Sequence, residues 1–304
     1  MSSIFIFPGQ GSQTVGMGKE LFDNHTAARA VFDEVDDALN QKLSKIIFEG
    51  PMEELTMTAN VQPAIFTVSA AMLAVYAHEN MDKGIIEPKY VAGHSLGEYS
   101  ALYYAGAMTL ADTAKLLRLR GDSMQRAVPV GTGAMAVVMG LSIDVLAAVC
   151  KDAESQIPGV CDIANDNAPG QIVISGSNTT ILRAMELAKD AGAKRAMLLP
   201  LSVPPHSRLM APVADDMREA LSKIDMKSPS VPLISNKTCA PMTDVNEIKE
   251  ALVYQITHGV RWRETVLALP ALGITETVEI GPGSILTGLT DRIVPEMTAR
   301  KLEI

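Results

Sequence analysis

The chain has 304 residues, 47% hydrophobic and 20% charged, enough apolar content for one large domain or one domain carrying an insert. A net charge of −9 and only 4% aromatic residues argue against a general polyanion binder or a base-stacking surface. Cys150, Cys161 and Cys239 form no C-x-x-C pair and fit reduced thiols in a cytoplasm, and no segment offers the roughly 18 uninterrupted apolar residues of a membrane span.

The N-terminal run Ile4 to Phe7 lacks a basic leader or cleavage site and reads as a buried parallel strand entering the Gly-rich loop "PGQGSQ". Helical patterns follow around 27–40 and 61–80. "YVAG" (90–93) is a second short strand, then comes "HSLG", then the helix-compatible "EYSALYYAGAM". Residues 110–126 form a further helix whose core stripe is Leu110, Ala114, Leu117, Gly121 and Met124. At about 100° per residue Arg120 lies about 60° from Leu117, beside the stripe, whereas Arg118 falls on the other side and is expected in solvent.

After "VPVGTG" come a strand (134–140), a helix (142–155), two strands joined by "NAPG", a helix with Asn178 as a candidate cap and Gly192 as its stop, and a strand within "AKRAMLLPLS". This β-α-β-β-α-β order is ferredoxin-like. The fold class expected is therefore α/β: a large α/β-hydrolase-like domain with a parallel sheet, made of 1–129 and 203–304, carrying a ferredoxin-like subdomain over 130–202. A helix at 206–223, strands near 231–235 and 276–280, and a helix at 246–257 complete the large domain.

The pentapeptide Gly93-His94-Ser95-Leu96-Gly97 fits G-x-S-x-G. On its own it arises by chance in about one chain in ten of this length; between a strand and a helix it marks Ser95 as a candidate nucleophile on a tight turn. A serine needs a base. Of the five histidines, His94 would have to fold back on its own turn, His25 and His78 sit in charged helical surroundings, and His258 follows a helix C-terminus. His206, in "LSVPPHSRLM" between a strand and a helix, is the best base by elimination; the alternative is a capped helix-start histidine. "FPGQGSQ" lacks the Lys-Ser/Thr of a P-loop, so its turn either donates backbone N–H groups to an oxyanion or simply closes the strand. Arg120 is either a structural ion pair or a fork for a substrate carboxylate.

Taken together, "FPGQGSQTVGMG" (7–18), "GHSLGEYSAL" (93–102), "RGDSMQRAVPVGTGAMAVVMGL" (120–141), "SVPPHSRLM" (202–210) and the C-terminal turn "GPGSILTGL" (281–289) resemble the malonyl-CoA:acyl carrier protein transacylases of fatty acid synthesis. The resemblance runs over nearly the whole chain. It implies that Ser95 carries a malonyl ester, His206 is the general base, the backbone N–H groups of Gln10 and Leu96 form an oxyanion hole, and Arg120 grips the malonyl carboxylate. It also implies that a backbone carbonyl at Gln255, rather than an acidic side chain, orients the histidine. Pro205, next to the histidine, borders the acyl pocket in the family and favours unsubstituted malonyl. The implied partners are malonyl-CoA and acyl carrier protein, with no nucleic acid and no membrane; nothing in the sequence calls for a metal or redox cofactor. Lys115, Arg118, Arg126 and Arg208 are candidates for docking an acidic carrier. The rival readings are a discrete acyltransferase of a polyketide synthase, a serine thioesterase or esterase, which needs no carboxylate fork, and a non-catalytic carrier-binding scaffold.

Overall fold

Strand β1 (Ser3–Phe7) is buried along its whole length, as a five-residue apolar run flanked by parallel neighbours should be. Nine further strands follow among the described residues: β2 (Tyr90–Gly93), β3 (Gly133–Met139), β4 (Cys161–Ala168), β5 (Gln171–Ser177), β6 (Arg195–Leu198), β7 (Leu233–Ile234), β8 (Pro241–Met242), β9 (Glu276–Glu279) and β10 (Thr298–Lys301). The computed structural model describes residues 2–80, 86–129, 131–201 and 203–304; the expected junction positions Val130 and Ser202 lie outside them.

Six strands form one sheet in the order β10-β9-β1-β2-β7-β8. Every pair in it is parallel except β7–β8. Alternate residues of β1 serve opposite faces. Phe5 and Phe7 pack into a large core with the helices Thr26–Leu39, Thr58–Glu79 and Leu110–Ala127, while Ile4 and Ile6 join a second core around Trp262, Leu286 and Leu289. The helix Thr58–Glu79 is long and apolar enough to pass as a membrane span, but 94% of its most apolar window is buried inside the protein, which identifies it as a core helix.

The other four strands form an antiparallel sheet in the order β4-β5-β3-β6, the ferredoxin-like arrangement of a β-α-β-β-α-β unit. Ala134, Ala136 and Val138 of β3 face the helices Ile143–Gln156 and Asn178–Asp190. Met135 turns to the opposite face with Ala164 and Val173, packed by Leu199 and Leu201. That second face looks toward the large sheet. Strand β4 is tied there by a parallel bridge between Asn165 and Val260, with Asp166 N–H donating to the Val260 carbonyl at 2.9 Å and Val260 N–H to that of Ala164 at 2.8 Å.

The structure departs from the sequence expectations at several points, among them the helix expected at 206–223, which begins at Ala211 after a 3-10 turn at Arg208–Met210. Ser177, not Asn178, holds the N-cap position of its helix; Asn178 is the first helical residue and its amide donates to the Gly131 carbonyl at 3.0 Å. Arg118 is half-buried rather than solvated, donating to Asn60 Oδ1 at 2.9 Å and to the Gln41 side chain, so it staples the 110–127 helix to residues 41 and 60. The apolar residues of "GPGSILTGL" open a helix, Ile285–Ile293, after the glycine turn.

Candidate active site

Strands β1 and β2 end level, Phe7 opposite Gly93, so the two loops leave the sheet side by side at its C-terminal edge. His94 N–H donates to the Phe7 carbonyl at 2.9 Å and holds them together. The chain then turns sharply. Ser95 has φ of +53°, a left-handed conformation that costs a non-glycine residue about 1–2 kcal/mol. Only glycines fit around this turn: a Cβ on Gly93 would lie 1.9 Å from the Gly97 carbonyl carbon, and one on Gly97 would lie 2.2 Å from the Phe7 carbonyl oxygen. The helix Gly97–Tyr104 starts immediately afterwards, leaving Ser95 at its entrance.

His206 is the second strained residue, with φ of +59°. Its Nε2 lies 2.8 Å from Ser95 Oγ, across 111 residues of sequence. Its Nδ1 lies 2.8 Å from the Gln255 carbonyl oxygen, which can only accept. The proton is therefore on Nδ1, and Nε2 is the free lone pair that accepts from the serine hydroxyl. Burial and the neighbouring Arg120 charge hold the imidazole down at about 3, against the opposing pull of its bond to Gln255. The ring is therefore neutral at pH 7.

Arg120 is 2% exposed and makes no ion pair among the described residues. Nη1 donates to Gln62 Oε1 at 2.7 Å, while Nη2 donates to Ser95 Oγ at 3.1 Å and to Gln255 Oε1 at 3.0 Å. Nε has no partner. A buried guanidinium held by neutral amides, with a donor to spare, can take a carboxylate in fork geometry. Arg120, which its periodicity puts beside the core stripe, is in fact fully inside it.

These groups line a cavity of about 130 Å³ that draws on both sheets: Gln10, Ser95, Leu96 and Arg120 from the large part, Met135 and Val173 from the small one. Pro205 lines it as well, beside His206. The backbone N–H groups of Gln10 and Leu96 donate to no protein acceptor among the described residues, as an oxyanion site requires. His94 does not reach the serine as a base. It is directed away, Nε2 lying 2.8 Å from Asn167 Oδ1 of β4. His25 and His258 lie elsewhere, beside Glu79 and stacked on Tyr254 respectively.

Known proteins resemble this chain along nearly its whole length. Residues 4–299 match the model of the acyl transferase domain family. A malonyl CoA-acyl carrier protein transacylase from Bacillus subtilis is 47% identical over 96% of this chain and 91% of its own length. This chain belongs to the malonyl CoA-acyl carrier protein transacylase family. Among solved members, the acyl-carrier-protein S-malonyltransferase of Bartonella henselae superposes with a TM-score of 0.95 at 49% identity, covering all of this chain and 96% of that one. A malonyl-transacylase solved in complex with its type II polyketide synthase acyl-carrier protein superposes at 0.93 and 39% identity, over 99% and 96% of the two chains.

Four residues of this transacylase-family site have no counterpart in the sequence expectations: Gln62, Glu98, Asn167 and Asn236. Asn236 Oδ1 accepts from the Ser95 backbone N–H at 3.1 Å, and its amide donates to the Gly93 carbonyl at 2.8 Å. Gln62, Asn167 and Asn236 are ordinary polar residues in their own segments and carry no local signal. Glu98 does: it is a carboxylate in the first turn of an otherwise apolar helix. Of the docking candidates, Arg118, Arg126 and Arg208 are already engaged, Arg126 with Ser123 and Asp216, and Arg208 with Asp162 and Glu154. Lys115 lines a groove shared with Asp112, Asp216, Glu219 and Lys223, which is not a positive surface.

Proposed function

We propose that this chain transfers a malonyl group from malonyl-CoA to the phosphopantetheine thiol of acyl carrier protein in fatty acid biosynthesis, through an ester on Ser95. The observation that carries the reading is the buried triangle of Ser95 Oγ, His206 Nε2 at 2.8 Å and Arg120 Nη2 at 3.1 Å. A hydrolase of simple esters has no use for a buried cation beside its nucleophile, whereas an acyl group with a free carboxylate needs one.

In the first half-reaction Ser95 Oγ attacks the thioester carbonyl and His206 Nε2 takes the hydroxyl proton. The backbone N–H groups of Gln10 and Leu96 receive the oxyanion. The C–S bond breaks, and the imidazolium returns the proton to the coenzyme A sulfur. In the second half the carrier thiol gives its proton to the same nitrogen and attacks the malonyl-serine ester, and Ser95 leaves with that proton. The Gln255 carbonyl keeps the ring in the required tautomer throughout, in place of a third acidic residue. Arg120 swings its donors from Ser95 Oγ to the malonyl carboxylate. Both half-reactions exchange one acyl ester for another, so a nucleophile, a base and oxyanion donors suffice and no cofactor enters. The organisation that goes with this reading is a large domain of 1–129 and 203–304 with 130–202 inserted, the cavity lying between them, and a cytoplasmic location consistent with three unpaired thiols.

The test is intact mass after incubation with malonyl-CoA, followed by addition of phosphopantetheinylated carrier protein. A malonyl adduct lost in Ser95→Ala and transferred to the carrier is expected. Free malonate accumulating without a transferable adduct would overturn the reading in favour of a hydrolase.

A further inference from the structure

Beneath the nucleophile turn lies a carboxyl group that the transfer chemistry does not use. Glu98 is 1% exposed, and both of its oxygens accept hydrogen bonds. Oε1 accepts from the Asn236 backbone N–H at 2.6 Å and Oε2 from Gln255 Nε2 at 2.5 Å. The Gln255 amide nitrogen also reaches the Ser95 carbonyl at 3.1 Å and Asn236 Oδ1 at 3.2 Å. Its three neighbours on that side are all acceptors. The amide oxygen is left for Arg120 Nη2 at 3.0 Å.

We propose that Glu98 is a positioning residue that fixes the orientation of the Gln255 side-chain amide, and through it aims Arg120 at the acyl carboxylate. This rests on the reading of Arg120 as the carboxylate fork. An amide has two ends that differ only in donor and acceptor. Reversed, Gln255 would set its NH₂ against the guanidinium and its oxygen against Glu98, Asn236 and the Ser95 carbonyl. The ionised carboxylate excludes that state because one of its oxygens accepts from Gln255 and the other from Asn236, whereas a neutral carboxyl carries an O–H that can meet the oxygen of a reversed Gln255. A glutamine at 98 cannot do both. With its oxygen on the Asn236 N–H it turns an NH₂ toward Gln255, which favours reversal of the Gln255 amide and withdraws the acceptor from Arg120. Leaving a buried polar group unpaired or opposed is costly enough to decide between the two states. The charged and titratable groups around Glu98 are Arg120, Tyr99 and Cys239, and only Arg120 is bonded to the amide that Glu98 holds.

The experiment compares Ser95 acylation by malonyl-CoA and by acetyl-CoA at about pH 8.5, where Glu98 is ionised, in wild type, Glu98→Gln, Gln255→Met and the double variant. Acetyl has no carboxylate, so the ratio of the two kcat/KM values reports the aim of Arg120 and not the integrity of the turn. Glu98→Gln is expected to lower the malonyl/acetyl ratio at least tenfold, chiefly through KM for malonyl-CoA. Gln255→Met, which keeps the backbone carbonyl for His206, is expected to lower it similarly, and the double variant no further. Equal losses for both acyl groups in Glu98→Gln would overturn the proposal and assign Glu98 to the stability of the turn. If Glu98→Gln fails to fold, Gln255→Met decides: an unchanged ratio there overturns it. Failure of wild type to form a malonyl-serine ester would instead overturn the function proposed above, so the two failures are distinct.

Discussion

At the scale of single residues the site turns on one cation in a dry place. Arg120 lowers the basicity of His206; in the mechanism proposed above the same charge receives the malonyl carboxylate, and a bound malonyl group would then shield the imidazole from the field that suppresses it. The pH dependence follows. With His206 held at about 3 in the free enzyme, kcat/KM for malonyl-CoA should show no inflection at the ordinary histidine value near 6.5. Pre-steady-state acylation of Ser95 between pH 5.5 and 7.5 checks this: a profile flat within about twofold is expected, and a tenfold fall centred near 6.5 contradicts it. Glu98 has the opposite history. Burial raises its carboxyl to about 8, against the lowering effects of the Asn236 N–H, the Arg120 charge and its side-chain partners. Folded protein therefore holds this proton where unfolded chain has released it, and stability from this group falls as pH rises from about 4.5 to 8. His206 contributes a fall in the other direction, as pH drops below about 6.5. Only Glu98 of the two acts between 6.5 and 8, where urea denaturation of wild type should lose up to about 1.4 kcal/mol per pH unit. Glu98→Gln should lack that slope, and parallel slopes would contradict the assignment.

At the scale of elements, the turn between β2 and the Gly97–Tyr104 helix is built by close backbone approach, and two glycines make opposite predictions. Gly97→Ala would drive a methyl to 2.2 Å from the Phe7 carbonyl oxygen, with no flexible side chain to yield. It should cost about 3 kcal/mol or more. Gly288 lies exposed within the helix Ile285–Ile293 with open space around it, so Gly288→Ala should stabilise by about 0.5–1 kcal/mol. Chemical denaturation of the two variants against wild type measures both. The contrast also shows what the sequence could reveal. The Ser95 turn is encoded in five consecutive residues, and the ferredoxin-like unit in a succession of apolar periods, so both are legible along the chain. Gln62 and Asn236 are not: they reach Arg120 and Ser95 across 58 and 141 residues, and nothing near them in sequence differs from a surface amide. Arg118 was misplaced for a related reason. Helical periodicity gives the direction of a side chain from its own axis but not whether a neighbouring segment, here residues 41 and 60, covers it.

At the scale of the molecule, the cavity draws on both sheets, which are tied together by Arg208 with Asp162 and Glu154, by Arg292 with Gln171 and by the contacts of β4. Asp166 of β4 is 3% exposed and pairs with Arg263 at 2.8 Å, next to the bridge between Asn165 and Val260. His94, next to Ser95 in the chain, and Asn167 of β4 add a bond at 2.8 Å, and both line the cavity. Arg263 is the accessible half of the ion pair, since its side chain is 27% exposed against 3% for Asp166. Arg263→Met keeps most of the aliphatic bulk but strands a buried carboxylate, which costs about 3 kcal/mol or more when its partner is removed. The strand that carries Asp166 also carries Asn165 and Asn167, both of which line the cavity. Relief of the stranded charge by outward movement of β4 therefore opens the site before it unfolds either sheet. Arg263→Met should lose transfer to the carrier at temperatures where its circular dichroism is still native. Its ratio of hydrolysis to transfer should rise several-fold, because a cavity that no longer closes around the malonyl-serine ester admits water. Single-turnover release of malonate from the preformed adduct, with and without carrier protein, measures that ratio. Activity and secondary structure lost together, at one temperature and with an unchanged ratio, would instead mean that the ion pair stabilises the fold without shaping the cavity.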